Sequence, residues 1–299
     1  MTNDETATTA PSLIPEGPIE EIADGLHVIL DRRINLVPNI GIVVGERAAL
    51  VVDTAMGPAS GELVLRRARG ITDRPLLLTV SHFHPEHGFG AQVFERHAAI
   101  VYNRAQKEEL DEKGGPYVEL FRTFGPVVAE ALEGVELISP HVVYDDRATI
   151  DLGGVAVELG FHGRAHTRGD QVVFLPEQRI LFAGDLVENR FFPIFPWFPP
   201  DDVDVTGEGW IAVLERLETL EPELVVPGNG EVGGAELIGE VRRYLEDVRG
   251  RVRAAAAAGR SAEEAKAALE ADIRSAYASW DNPEWIGFAI EAFHAQLAG

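Results

Sequence analysis

Residues 81–90 read Ser-His-Phe-His-Pro-Glu-His-Gly-Phe-Gly, and this stretch decides how the rest of the chain is interpreted. It follows an apolar run at residues 76–80, which predicts a buried strand, and it precedes a segment with helical spacing at residues 91–96. Three of the nine histidines fall within it. His82 and His84 are two positions apart, so an extended backbone turns both side chains to the same side. Such a pair of imidazoles suits a cation such as zinc.

The alternative interpretation of this stretch is a surface loop that happens to be rich in histidine. A single histidine at this place would favour that alternative. Two histidines, a carboxylate and a third histidine at the end of a strand favour a metal site instead, because α/β folds place their chemistry where strands end.

The composition excludes several classes of function and of metal site. The chain has 299 residues, of which 45% are hydrophobic, and no linker interrupts it, so we expect one large domain. A formal net charge of −23 makes general binding to nucleic acid or to an anionic membrane surface unfavourable. Because the chain has no cysteine, any metal must be bound through nitrogen and oxygen. The polar N-terminus does not resemble a signal peptide and no apolar run could span a bilayer, so we expect a cytoplasmic protein, alone or as a homodimer.

The pattern along the chain predicts three parts. Residues 1–17 are polar and rich in proline and threonine, which predicts a disordered leader. Residues 18–235 contain two strand-rich halves with helices, which predicts an α/β fold with two sheets packed face to face and helices outside. Residues 236–299 carry apolar side chains at helical spacing and predict C-terminal helices that pack on the same domain.

Local residues support two predictions about helices. Ser261 and Glu264 have the spacing of a capping box, which predicts the start of a helix. Helical spacing over residues 104–133 is predicted to break at the Gly-Gly-Pro of residues 114–116 and at the Gly-Pro of residues 125–126.

Further polar residues follow apolar strands elsewhere in the chain. His166 lies in a turn between glycines, Asp185 ends a strand at Ala-Gly-Asp, and Asn229 lies in a Pro-Gly-Asn-Gly turn. Each is weak evidence by itself. Asp53, which ends an earlier strand, is either a helix cap or a group that orients a metal-binding histidine. Together with residues 81–90, these motifs define one candidate metal shell of His82, His84, His166 and Asp185, and another of Glu86, His87, Asp185 and Asn229.

These motifs, in this order and at this spacing, resemble the metallo-β-lactamase-fold hydrolases over about residues 20–235. The resemblance implies a four-layer αβ/βα sandwich of two mixed β-sheets, with a metal centre at one edge of the sheets. It also implies a role for each matching residue: His82, His84 and His166 would hold the first metal, Asp185 would bridge, and Glu86 and His87 would serve the second metal.

Two residues depart from the family pattern, and both belong to the second metal site. The family usually has Asp where this chain has Glu86, and usually has His where this chain has Asn229. Glu86 is one methylene longer, and Asn229 offers only a neutral carbonyl oxygen. We therefore predict one firmly held zinc and a second ion that is weak, exchangeable or absent, with iron or manganese as alternatives to zinc.

The resemblance implies a metal-dependent hydrolase that uses a metal-bound hydroxide on an ester, thioester, lactone or phosphoester of a small molecule. Glu86 is the candidate proton acceptor, and Asp185 would position the metal. One alternative is a mononuclear iron oxidoreductase similar to sulfur dioxygenases. Another is a non-catalytic binding protein that a metal stabilises.

The aromatic, proline-rich loop after Asp185 supplies the candidate substrate contacts Arg190, Phe191 and Trp197. A loop of this kind beside a metal ligand predicts an apolar wall over the site. Its aromatic side chains could equally pack the loop onto the body of the protein or form a dimer contact. The sequence does not name the substrate, since one fold serves many reactions.

Overall fold

The structure, a computed structural model, describes residues 12–297. The first of its two sheets contains seven strands. In chain order these are β1 Glu20–Ala23, β2 Leu26–Ile29, β3 Ile40–Val44, β4 Ala49–Val52, β5 Leu76–Thr79, β6 Ala98–Asn103 and β7 Val142–Tyr144. They also lie side by side in chain order, antiparallel from β1 to β4 and parallel from β4 to β7.

The second sheet contains five strands. These are β8 Arg147–Asp151, β9 Ala156–Phe161, β10 Gln171–Leu175, β11 Ile180–Gly184 and β12 Leu224–Pro227. Their spatial order is β12-β11-β10-β9-β8, and only the β11–β12 pair is parallel. Both sheets are therefore mixed, as predicted.

The helices connect and follow these strands. They are α1 Gly57–Ile71, α2 Pro85–Gly88, α3 Arg104–Arg122, α4 Pro126–Ala131, α5 Gly207–Glu218, α6 Glu236–Ala257, α7 Ala262–Ala276 and α8 Trp285–Gln296, with a 3₁₀ turn at Ala91–Phe94. Within residues 12–297, none of the helices has the combined length and apolar character needed to cross a bilayer.

Three buried apolar clusters separate four layers. Alternate residues of each strand face opposite sides of a sheet, so β3 sends Val43 between the two sheets and Ile42 toward α1. In the second sheet, Phe182 faces the first sheet, while Leu181 joins a cluster with α5, α6 and α8. Burial of each such side chain stabilises the fold by about 1.5–3 kcal/mol. The predicted αβ/βα sandwich is confirmed.

The C-terminal helices share a core with the second sheet. Val241 and Tyr244 of α6 and Phe293 of α8 belong to the same buried cluster as Leu181 of β11. The predicted capping box is present, since Ser261 Oγ accepts the Glu264 N–H and the Glu264 carboxylate accepts the Ser261 N–H. These helices therefore bury their apolar faces on the sandwich itself.

Two local predictions differ from the structure. Residues 1–11 of the predicted disordered leader lie outside the described residues, but Ile14 is buried in the core beside the first sheet, and Leu13 N–H donates to Ser60 Oγ of α1 at 3.3 Å. The helix α3 also continues through residues 114–116. Its Tyr117 and Phe121 are buried on one face, and this burial outweighs the cost of about 3 kcal/mol for a proline inside a helix.

Candidate metal centre

Three imidazole nitrogens converge beyond the end of β5. His82 Nε2 lies 3.0 Å from His84 Nδ1, and His166 Nε2 lies 3.1 Å from the same atom. All three side chains are buried. Four ligands around a zinc ion at a Zn–N distance of about 2.0–2.1 Å lie about 3.3 Å apart. The spacing within this three-histidine cluster is therefore close to that of ligands on one cation.

The local backbone explains how these side chains meet. His82 and His84 follow β5, which ends at Thr79, and His84 is the residue that precedes α2. His166 belongs to the loop between β9 and β10. Its Nδ1 donates to the carbonyl oxygen of Ile194 at 2.9 Å, so its Nε2 presents a lone pair to the cluster.

Asp185 lies between the three-histidine cluster and His87. Its Oδ2 is 4.0 Å from His82 Nε2 and 3.9 Å from His166 Nε2, while its Oδ1 is 3.2 Å from His87 Nε2. Within residues 12–297, neither carboxylate oxygen has a hydrogen-bond donor. The side chains of His82, His87 and Asp185 therefore form a second group, the His87–Asp185 cluster, whose donor atoms lie within 4.8 Å of one another.

Asp53 orients His87. Its Oδ2 lies 2.9 Å from His87 Nδ1, and the same carboxylate accepts the backbone N–H of Ser81 at 2.6 Å and the Ser81 hydroxyl at 3.0 Å. The residue that precedes α1 is Met56, so Asp53 is not the helix cap. Of the two roles open for Asp53 from the sequence, the structure supports the one that orients a histidine.

The donor atoms fit a divalent cation. With His87 Nδ1–H donated to Asp53, His87 Nε2 and Asp185 Oδ1 are two acceptors that face each other at 3.2 Å. Two buried acceptors in this arrangement repel each other unless a proton or a cation lies between them. The chain thus holds nitrogen donors and a bridging carboxylate without using sulfur, a set that suits zinc and also harder ions.

The surroundings set the charge of the histidines. Burial lowers the pKa of His82 and of His84 well below its usual value, and the neighbouring imidazoles lower it further. Burial also lowers the pKa of His87, but the negative charges of Asp185 and Asp53, together with the hydrogen bond to Asp53, outweigh it and hold that pKa well above its usual value. The three-histidine cluster is therefore neutral, whereas His87 would have to release a proton before it could bind a cation.

Glu86 lies near both clusters but belongs to neither. Its side chain is buried in α2, and within the described residues its Oε2 has no hydrogen-bond partner. Burial raises its pKa to about 7; the charge of Asp185 raises this pKa further, and His87 opposes the shift. A ligand role for Glu86 and for Asn229 stays a prediction. The Asn229 amide Nδ2 donates to Glu188 Oε1 at 3.4 Å.

Sequence reasoning missed two residues beside the clusters. Glu188 is buried three positions after Asp185; burial and the charge of Asp185 hold its pKa well above the usual value. The available signal was an acid that directly follows the apolar pair Leu186 and Val187. Tyr117 of α3 stacks on His84 with an interplanar angle of 16°, and its hydroxyl donates to Asp202 at 2.6 Å. No sequence pattern marked this long-range contact.

A cavity of about 60 Å³, here called the site cavity, reaches His84 and Glu86. The loop after Asp185 contributes Ile194, Pro196 and Phe198 to its wall, and the other lining residues are Asn35, Leu36, Tyr117, Leu120, Phe121, Phe124 and Trp285. The structure does not bring Arg190, Phe191 or Trp197 into this lining. The Arg190 side chain is exposed, Phe191 is buried beneath the Arg33 guanidinium, and Trp197 packs against the core of the C-terminal helices.

Comparisons with known proteins agree with this arrangement. The family model of the metallo-beta-lactamase superfamily matches residues 34–229. The chain is 27% identical over 219 residues to the human protein named acyl-coenzyme A thioesterase MBLAC2, which covers 66% of this chain and 75% of that protein. It is 27% identical over 224 residues to metallo-beta-lactamase type 2 of Bacteroides fragilis, and this alignment covers 71% of this chain and 78% of that protein.

A solved structure shows the same fold. The metallo-beta-lactamase from Pontibacter korlensis superposes with a TM-score of 0.62 at 21% identity, over 77% of this chain and 99% of that one. The family match spans most of the chain and includes all of the residues that form the two clusters. The chain therefore belongs to the metallo-beta-lactamase superfamily, and it is a metal-dependent hydrolase of that fold.

Proposed function

We propose that this enzyme hydrolyses an ester or thioester whose acyl group is apolar. The observation that carries the proposal is the site cavity, which joins His84 and Glu86 to a wall of apolar side chains. Its outer part includes Phe124, which is 51% exposed, so an apolar surface leads from solvent toward the metal ligands. An acyl chain that enters this way exchanges water for apolar contacts.

A second cavity provides room for the rest of the substrate. It has a volume of about 430 Å³ and shares Tyr117, Leu120 and Phe198 with the lining of the site cavity. Ligand cavities for small molecules typically measure about 300–1,000 Å³. We therefore expect the carbonyl end of the acyl group in the site cavity and the rest of the substrate, including the acyl chain, in this neighbouring cavity.

The charges around the two cavities favour a carboxylic ester or thioester over a phosphoester as the reacting group. Among the described residues that line the site cavity there is no lysine or arginine. Lys113 lines the neighbouring cavity, but its ammonium group already contacts Glu109, Asp202 and Asp204 at 2.9, 2.8 and 2.7 Å. An anionic group beside the reacting bond would therefore meet no uncompensated basic side chain of the lining.

The roles of individual residues follow from their positions. When bound, a divalent cation supplies a Lewis acid that lowers the pKa of a water molecule to about 7 and polarises a carbonyl oxygen. Glu86 lines the site cavity, and its Oε2 has no hydrogen-bond partner among residues 12–297. Its pKa of about 7 lets this carboxyl group accept or release a proton near neutral pH. Ile194 and Phe198 exclude water from the wall, while Asp53 keeps His87 in place.

Two further observations support this proposal. The relative MBLAC2 is named an acyl-coenzyme A thioesterase, and a thioester is one of the two substrate classes proposed here. The convergence of His82, His84 and His166 supports zinc as the first ion, because three imidazoles suit zinc.

The experiment is a comparison of ester, thioester, lactone and phosphoester substrates on the metal-loaded protein, with acyl chains of increasing length. We expect kcat/KM to rise with chain length for esters or thioesters. Phe198→Ala should raise KM for the longer chains by about 10- to 100-fold, because removal of a buried aromatic contact costs about 1.5–3 kcal/mol.

Trp197→Ala is the matched control for Phe198→Ala, since Trp197 is in the same loop but packs on the core of the C-terminal helices. This variant should lose stability and keep its KM. Turnover of phosphoesters alone, or equal effects of the two variants on KM, would contradict the proposal.

A further inference from the structure

Glu188 follows Asp185 by three residues and has no role in the hydrolysis described above. It is buried with 3% of its surface exposed, although a carboxylate in this position loses most of its hydration. A buried acid is retained where hydrogen bonds satisfy its oxygens. Both oxygens of Glu188 accept hydrogen bonds, and each bond connects Glu188 to a different part of the candidate metal centre.

The first oxygen leads to His166. Glu188 Oε2 accepts the backbone N–H of Ile194 at 3.3 Å, and the carbonyl oxygen of Ile194 accepts from His166 Nδ1 at 2.9 Å. The Ile194 backbone is therefore held on one side by the carboxylate and holds the imidazole on the other. Since the partner of Nδ1 decides which nitrogen faces the metal, Glu188 acts on the orientation of His166 through Ile194.

The second oxygen leads to Asn229. Glu188 Oε1 accepts from Asn229 Nδ2 at 3.4 Å. The NH₂ group of the amide therefore faces Glu188, and the amide oxygen Oδ1 faces away from Glu188. The backbone of this turn is tied to the same segment, because Asn189 N–H donates to the Asn229 carbonyl oxygen at 2.9 Å. The carboxylate of Glu188 therefore decides which atom of Asn229 is available to a second cation.

We propose that Glu188 is a positioning residue that couples the two halves of the metal centre, by holding His166 for the first cation and Asn229 for the second. Residues that orient metal ligands in this way change metal affinity by about 10- to 100-fold when they are replaced. The inference rests on the metal centre and not on the identity of the substrate, so the test measures metal binding without turnover.

The experiment measures the dissociation constant of the tightest Zn²⁺ ion by competition with a chromophoric chelator, together with the visible absorption spectrum of the Co²⁺-loaded protein. Glu188→Ala should weaken the tightest ion by about 10- to 100-fold and change the Co²⁺ spectrum. Glu188→Gln keeps the volume of the side chain. Its amide can accept from only one of the two donors, so its effect should be of the same sign and smaller.

The sharpest test reverses the polarity of one hydrogen bond. In the double variant Glu188→Gln with Asn229→Asp, the oxygen of the introduced amide accepts from Ile194 N–H, while the NH₂ group of the same amide donates to the introduced carboxylate. We expect the affinity of the tightest ion to return to within about threefold of the wild-type value, a non-additive result for a coupled pair. Because a carboxylate at position 229 also changes the donors of the second cation, only the tightest ion is scored.

Tyr244→Phe controls for repacking near Glu188, since the Tyr244 hydroxyl is buried and within residues 12–297 has no hydrogen-bond partner. This variant should leave the Zn²⁺ affinity and the Co²⁺ spectrum unchanged. The proposal is overturned if Glu188→Gln leaves both readouts unchanged, or if the double variant binds the tightest ion no better than Glu188→Gln alone. If Glu188→Ala does not fold, the Gln variants still decide the question.

Discussion

Replacement of Glu86 by Gln should stabilise the metal-free protein at neutral and alkaline pH. Burial raises the pKa of Glu86 from 4.5 to about 7 in the folded protein. Each pKa unit corresponds to about 1.4 kcal/mol, so ionisation of this carboxyl group opposes folding by about 3 kcal/mol. The pKa of Glu86 is higher in the folded chain than in the unfolded chain. The neutral carboxyl group of Glu86 therefore makes its full contribution to the free energy of unfolding below about pH 4.5, and this contribution is lost as the pH rises through about 7.

The assay is urea unfolding of wild type and Glu86→Gln in the presence of a chelator, at a series of pH values from 5 to 8. Gln has no proton to release and stays neutral at every pH in this range. The difference in the free energy of unfolding between the variant and wild type should therefore grow with pH toward about 3 kcal/mol in favour of the variant. Glu95→Gln, at an exposed position, is the control for the loss of a carboxylate and should run parallel to wild type. A Glu86→Gln curve that also runs parallel to wild type would refute the assignment of a raised pKa to Glu86.

Three further predictions concern other parts of the site and the fold. An added Cβ at Gly228 would lie 2.0 Å from Asp185 Oδ1, so Gly228→Ala should displace this carboxylate and weaken cation binding in calorimetric titrations; an unchanged titration would argue against a ligand role for Asp185. Asp53→Ala removes the hydrogen-bond partner of His87 and should lower the affinity for the second cation by about 10- to 100-fold. If the variant and wild type bind the second cation with equal affinity, Asp53 does not orient His87 for that cation. Removal of residues 236–299 should leave a chain without cooperative thermal unfolding, because α6 and α8 share a core with the second sheet; a truncated chain that unfolds cooperatively would show that the C-terminal helices are dispensable.

The residues of the two clusters could be predicted from the sequence because their signals are local. His82 and His84 occur two positions apart after an apolar strand, and Asp185 ends another strand at a glycine. The conformation there requires glycine, since Gly184 has φ of 53° and a Cβ would lie 2.7 Å from that of Ser81. Each motif marks the end of a strand by its local sequence alone. The sandwich fold could therefore be inferred without knowledge of the contacts between distant residues.

The remaining features depend on contacts between distant parts of the chain. Phe191 and Trp197 follow Asp185 in sequence, but neither lines the site cavity. Trp197 packs against the core that includes the C-terminal helices, and Phe191 lies beneath the Arg33 guanidinium. The break predicted at residues 114–116 did not occur, because the buried face of α3 stabilises the helix despite Gly and Pro. The strand β1 was missed since its sequence, Glu-Glu-Ile-Ala, is largely polar at the edge of a sheet.

The most direct test of the metal centre is the number of metal ions per chain, measured by mass spectrometry after the protein is purified without added metal and dialysed. The three-histidine cluster with Asp185 predicts one retained ion per chain, and it predicts that His166→Ala retains none. The Glu86 and Asn229 departures predict that a second ion appears only when metal is added in excess. Two ions retained in the wild type would contradict the weak second site, and one ion retained in His166→Ala would contradict the shared cation itself.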